Sequence, residues 1–545
     1  MTKLFLSFFL IPLVINSGQN LDSLYNKLLE IKGFANTLPV KQHNITAAGE
    51  HVKCLTSLIN DIRQNINQYS YEKKIVIQSI LQRPVTDTSF VTPSGKFRIH
   101  YNKTGSDAPA YDLNLLAKAA DSSYNYEVNI LGYPPPPPDS GDGGDDRYDI
   151  YIQNQGDNGN YGYTETERYI TANTSTSFMV IDNAFAGNNF YTNGIDAARV
   201  TVAHEFHHGI QFGNYIYRSS DTFYHELTST SMEHFVFGSI HDYYQYLPLY
   251  FSYTQRAFSQ NDGYNLAIWN IFLGNRLGMD VIKRSWELMP TERALKAIAD
   301  AIQEAGSLLK TELNVFGQWT YFTGSRSVPG KYFKEAANYP LITPAMVLNI
   351  SQSPATLLTN PVSNSFIVFT AQGSSSTDSL VAIITNSDVD NGINKPDSTL
   401  TIKYWLSHSK LSGYRSVIGN YFSKIETSNS LLISESDIYN NVLVDSGEII
   451  SSNIAYVYPQ PFKYSFNNYL YFPAAASAAG PINLYVYSID MKLIYSGRIT
   501  VVESGKTGKW NVFDNNNRKL ATGVYIYLTD SGGIIKKGKF VVFNE

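Results

Sequence analysis

The chain has 545 residues, more than one hydrophobic core usually serves, and 43% hydrophobic against 16% charged residues describes folded domains, not a disordered chain. A net charge of -5 gives no basic field for nucleic acid or an acidic membrane surface. Cys54 is the only cysteine, so disulfides within the chain are excluded.

The N-terminus reads as an export signal over 1–18. Lys3 supplies the positive start, Leu4 to Ile15 the apolar run, and Asn16-Ser17-Gly18 small and polar residues for cleavage. That run is too short to span a bilayer, and no later stretch is apolar enough. The expected location is therefore secreted or on the outer cell surface, with no transmembrane segment after signal removal. Residues 19–85 are predicted helical from the spacing of Leu21, Leu24, Leu28 and Leu29, and of Leu55, Leu58, Ile59 and Ile62. They form either an N-terminal helical subdomain or a propeptide. Cys54 falls in the helical pattern Gly49 to Asn67, where a buried thiol is the ordinary reading.

Beyond Pro93-Ser94-Gly95, Phe97, Ile99 and Tyr101 alternate with Arg98 and His100 as in a strand. A helix is predicted from Asp112 to Val128, then an extended run Pro134 to Pro138. The loop 139–146, rich in Asp and Gly, is either a calcium loop with oxygen ligands or a solvated acidic turn, and its spacing is not that of an EF-hand. Tyr148 to Ile152 and Ser177 to Ile181 read as strands. Asp196 to Phe212, Thr222 to Phe237 and Asp262 to Leu277 read as helices, and Thr311 to Pro340 as the aromatic close of a domain covering 86–340. From 341 the helical signal stops. Phe366 to Phe369, Leu380 to Thr385 and Leu400 to Trp405 suggest one β-sandwich domain over 341–452. Ile482 to Tyr487, Lys492 to Tyr495, Val524 to Leu528 and Lys539 to Phe543 suggest another over 453–545.

The segment His204-Glu205-Phe206-His207-His208 carries the chemistry. On a helix, His204 and His208 lie one turn apart on one face, where both imidazoles reach one tetrahedral zinc ion. Glu205 is placed to act as general base on the zinc-bound water and to pass the proton to a leaving amine. Chance produces such a motif in a chain this long on the order of one time in a hundred. His207 points away from the line of the two ligands and reads as a packing residue. Gln211 and Asn214 stand where HExxHxxGxxH would have Gly and His, so that third ligand is disfavoured. A downstream helix offers Glu226 and Glu233, seven residues apart on one face. With zinc in view, Cys54 has a second reading, a thiolate that caps the metal of a latent enzyme.

HEFHH followed by an aromatic-flanked glutamate helix resembles the gluzincin metallopeptidases. The resemblance implies that the first glutamate of the second helix, Glu226, is the third ligand. Thr230 stands where the family often has an Asp that orients a histidine, which shifts that role towards Glu233. Residues 84–340, through GKFRIHY, YDIYI, AHEFHHGIQFG, the Glu226 helix and WTYFTGSR, are similar to a group of secreted bacterial HExxH proteins. A gluzincin also implies an oxyanion donor. Tyr264 is the first choice, with Tyr243, Tyr244 and His225 as alternatives. In the last 90 or so residues, Tyr456 to Phe462, Gly508-Lys509-Trp510-Asn511, GVYIYL and KKGKFVV resemble the C-terminal sorting domain of type IX secretion substrates. That resemblance implies the type IX secretion machinery as a partner.

The expected protein is a multidomain α+β chain, with a zincin-like catalytic domain followed by two β-sandwich domains. Its expected activity is a secreted zinc metallopeptidase acting on protein or peptide substrates, with Zn2+ as cofactor and Ca2+ as a second metal if the acidic loop binds it. The alternatives are a surface adhesion protein with a structural metal site, and a zinc hydrolase for a non-peptide bond.

Overall fold

A computed structural model describes residues 17–31, 53–156 and 159–349, the strands between 355 and 433, and most of 457–544. The expected export signal lies almost wholly outside them. No helix among the described residues is long and apolar enough to cross a membrane. The chain is α+β with mixed sheets and divides into two compact units, 1–128 with 134–214, and 129–133 with 215–545.

The first unit is built on a five-stranded sheet: β1 (Thr88–Val91), β2 (Phe97–Tyr101), β3 (Tyr148–Gln153), β4 (Gly162–Tyr169) and β5 (Ser175–Asp182), in the order β1-β2-β3-β5-β4. The central pairs are parallel, and β4 runs antiparallel along the edge. All eight residues of β5 are buried, as befits a strand covered on both faces. On one face Ile99, Ile150 and Met179 stand in register, and Phe97 meets Phe206 of a central helix with rings 5.1 Å apart. On the other face Tyr151, Tyr163, Phe178 and Val180 share an apolar cluster with Leu28, Leu29, Leu55, Ile59 and Ile62. That second layer comprises α1 (Ser17–Ile31), α2 (Thr56–Gln64) and α3 (Tyr71–Ile80), as the helical reading of 19–85 expects, but Cys54 is not in a helix: it forms a β-bridge to Gly162, and α2 begins only at Thr56.

The remaining layer is α4 (Leu113–Tyr124), capped by Asp112 whose Oδ1 accepts from Asn114 N at 2.7 Å, and α5 (Gly194–Asn214). Beyond Tyr124 the expected helix widens into a π turn, Asn125–Ile130. Three of the four aspartates of the acidic loop face arginines. Asp139 pairs with Arg83 at 2.7 Å, Asp142 with Arg168 at 3.2 Å, and Asp145 with Arg147 at 2.6 Å and with Arg98. Guanidinium groups thus supply positive charge where the sequence left room for a calcium ion.

The second unit contains α6 (Thr222–Val236), α7 (Leu247–Ser252), α8 (Ala267–Arg276), α9 (Asp280–Leu288), α10 (Ala294–Glu304) and α11 (Leu309–Tyr321). The helix expected from Asp262 starts later, at Ala267, after a 3-10 turn Tyr264–Leu266. The cause is Gly263, at φ +103°, where a Cβ would lie 2.2 Å from the Phe223 carbonyl oxygen. Eight described strands from Met346 to Ile433 form a six-stranded sheet, one of its strands branching off the main order, and a separate pair. Asn364 ties the first sheet to α11 by donating to the Leu313 carbonyl at 2.6 Å, and Asn314 donates to Thr385 Oγ1 at 3.0 Å. The last sheet has seven strands around Phe462, Phe472, Ile482, Trp510 and Phe540. Its strands Gly523–Ser531 and Ile534–Phe543 pair antiparallel, so the GVYIYL and KKGKFVV segments are neighbours, with Tyr525 opposite Phe540.

Candidate metal centre

Helix α5 carries the His-Glu motif. Every residue from Val200 to Gly213 is buried, so this is a central helix without a solvated face. Asp196 in its first turn suits the positive end of the helix dipole. At Gly209 a Cβ would lie 2.4 Å from the Tyr148 hydroxyl, so only glycine lets β3 approach this closely.

His204 and His208 project from successive turns, both essentially inaccessible to solvent. Their Nε2 atoms are 3.2 Å apart. Two nitrogens bound to one tetrahedral zinc at about 2.0–2.1 Å each stand about 3.3 Å apart, so the pair fits such an ion. The Nδ1–H of His208 donates to Gln211 Oε1 at 2.8 Å, which leaves the Nε2 lone pair facing His204. Gln211, which on sequence served only to disfavour one subclass, therefore orients a ligand. Its three-residue spacing from His208 is the signal that makes this readable.

Cys54 joins them. Its sulfur and the ligand nitrogens of His204 and His208 all lie within 4.8 Å of one another. Two imidazoles and a thiol form a donor set suited to zinc, and the residues present fit that ion.

Glu205 follows His204 and is 1% exposed. Its Oε2 accepts from the hydroxyls of Thr164 at 2.9 Å and Thr56 at 3.1 Å. These threonines lie on the edge strand β4 and at the first position of α2, and nothing in the local sequence pattern points to either. His207 turns elsewhere, its Nδ1 2.8 Å from Glu127 Oε2 on the turn after α4. Burial pushes the Glu127 carboxyl well above the usual range. As expected, His207 is an anchor of the helix and not a member of the histidine pair.

The other sequence-selected residues lie in the second unit. Glu226 is on α6 and 2% exposed, and Glu233 is two turns further along at 1%. Gly263 abuts the helix there, its absent Cβ lying 2.8 Å from Glu226 Cβ. Burial, and then the charge of Glu226, raise the carboxyl of neighbouring Asp262. Tyr264 follows in the chain, 8% exposed and stacked on Tyr246 at 5.1 Å. The alternative oxyanion donors have other contacts. Tyr243 hydroxyl is 2.6 Å from that of Tyr339, Tyr244 stacks on His241 at 4.7 Å, and His225 lies against Trp286 at 5.0 Å.

No family model matches the chain, and no curated protein matches it. Among solved structures it is similar to PorZ, a surface component of the type-IX secretion system of Porphyromonas gingivalis, at 12% identity over 35% of this chain and 39% of that one, TM-score 0.14. Another is dimeric latent PorU of the same organism, at 12% identity over 36% of this chain and 21% of that one, TM-score 0.13. The neural ectodermal development factor IMP-L2 is similar at 14% identity over 37% of this chain and 91% of that one, TM-score 0.12. The chain thus spans well under half the length of the two secretion components. Scores this low define no shared fold.

Proposed function

We propose that the chain is a secreted zinc-dependent metallopeptidase with a zincin-like catalytic domain. The observation that carries this is the buried His204–His208 pair, Nε2 atoms 3.2 Å apart, with Glu205 between them in sequence. His204, His208 and Glu226 hold the ion in this reading, with Glu226 assigned from the sequence resemblance. When bound there, zinc would supply Lewis acidity, lowering the pKa of water and polarising a substrate carbonyl. Glu205 takes the proton of the attacking water on its carboxylate and returns it to the leaving amine. Gln211 holds the His208 ring in one tautomer and orientation. Tyr264 is assigned to steady the oxyanion.

The C-terminal sheet is assigned as a sorting domain for type IX secretion, on the sequence resemblance of its last two strands. The protein would then act outside the cell or on its outer surface. The experiment is casein cleavage by the protein recovered after secretion. Turnover should be abolished by 1,10-phenanthroline and restored by zinc. Casein left intact by a zinc-loaded, secreted protein would favour a surface-binding role over hydrolysis.

A further inference from the structure

We propose that residues 19–80 form an inhibitory segment and that Cys54 is its metal-capping ligand, an inference that rests on the zinc reading above. Three consecutive features of this segment fall on three parts of the site.

The first is the sulfur. Cys54 is 2% exposed, and its Sγ lies with the ligand nitrogens of His204 and His208 inside a 4.8 Å span. A structural thiol usually sits among apolar groups, whereas this one faces two imidazoles. The Sγ also accepts from Thr56 N at 3.4 Å, which fixes its position beside the two imidazoles.

The second is the backbone. Cys54 forms a parallel bridge with Gly162 at the start of the edge strand β4. Tyr161 N donates to Lys53 O at 2.8 Å, and Leu55 N donates to Gly162 O at 3.1 Å. An exposed sheet edge is the place where an extended peptide adds as a strand. Residues 53–55 already occupy this one.

The third is the base. The Thr56 hydroxyl donates to Glu205 Oε2 at 3.1 Å and accepts from Thr164 N at 2.7 Å. It holds the carboxylate that must receive a proton from water. Asn60 and Arg63 secure the plug from the next turns of α2. Asn60 Oδ1 accepts from Thr166 Oγ1 at 2.7 Å, and Arg63 pairs with the buried Glu165. The apolar cluster beneath α1–α3 holds the segment against the sheet.

Opening the site is then a ligand substitution. With zinc bound, the sulfur would leave the ion, a solvent molecule would take its position, and the thiolate would take up one proton from solvent. No electron is transferred and no covalent bond to carbon changes.

The test uses the full chain loaded with cobalt(II) as a spectroscopic stand-in for zinc. The wild-type protein should bind one cobalt and show a thiolate-to-cobalt charge-transfer absorption in the near ultraviolet. Because Cys54 is the only cysteine, that band has one source. Cys54→Ala should keep cobalt and lose the band. Its casein turnover should rise about tenfold or more, as follows if the plug leaves no more than a tenth of the molecules open. Cobalt bound at one per chain without a thiolate band in the wild type would overturn the capping role and leave the hydrolase reading standing. Failure to bind cobalt or zinc at all would remove the hydrolase reading itself, and the capping role with it.

Discussion

Glu205→Gln is expected to lower turnover of a peptide substrate on the order of 10³-fold with bound zinc unchanged, because general acid–base catalysis contributes about 10²–10⁴-fold. Glutamine is nearly isosteric with glutamate and keeps an oxygen that accepts from the hydroxyls of Thr164 and Thr56, now at 2.9 and 3.1 Å. It has no basic site to take a proton from water. The two proteins should therefore match in unfolding temperature and zinc content and differ in kcat, when both pass through the same processing. Turnover within a factor of two or so of wild type would show that Glu205 is not the base, since even the weakest general base is worth far more.

The second large effect concerns stability. Arg83→Ala is expected to destabilise the first unit by about 3–5 kcal/mol, the range for removing one partner of a buried ion pair. Arg83 serves three carboxylates at once: Asp139 at 2.7 Å, Glu167 at 2.6 Å and the fully buried Asp149. Asp149 is also held by His100 Nε2 at 2.8 Å. Burial holds the Asp139 carboxyl up at about 6 even with the guanidinium beside it. Without Arg83, acidic groups would remain in the interior with too little positive charge. Thermal unfolding should fall on the order of 10 °C. Arg83→Lys should recover only part of this, because an ammonium cannot fork across three acids. An unfolding temperature unchanged in Arg83→Ala would show that the network contributes nothing net.

The two effects lie at different distances from what the sequence displays. The His-Glu motif and its helix were legible because they are local. Four-residue spacing, one helix face and an adjacent carboxylate define the arrangement, and α5 delivers it. Strands such as β5 were legible as short apolar runs bounded by turn residues. The contacts that surround the motif were not. Thr56 and Glu205 are separated by 149 positions, and no local pattern couples residues so far apart. Cys54 likewise reads from the sequence first as a core thiol, because its partners are set by how residues 53–55 pair with β4. The start of α8 was misplaced for a different reason. Apolar periodicity runs through 262–277, but the close approach of Gly263 to α6 imposes a positive φ and delays the helix. Arg83 showed as one cation among 42 Lys and Arg, and only the fold gathers three acids around it.

The central claim is that this chain holds a zinc ion on His204, His208 and Glu226. Elemental analysis of the purified full chain tests it most directly. The account predicts close to one zinc per chain in the wild type, a sharp fall in Glu226→Ala, and a much smaller change in Glu233→Ala. A wild-type protein that carries no zinc after purification without chelator, and takes up none when it is supplied, would contradict the account.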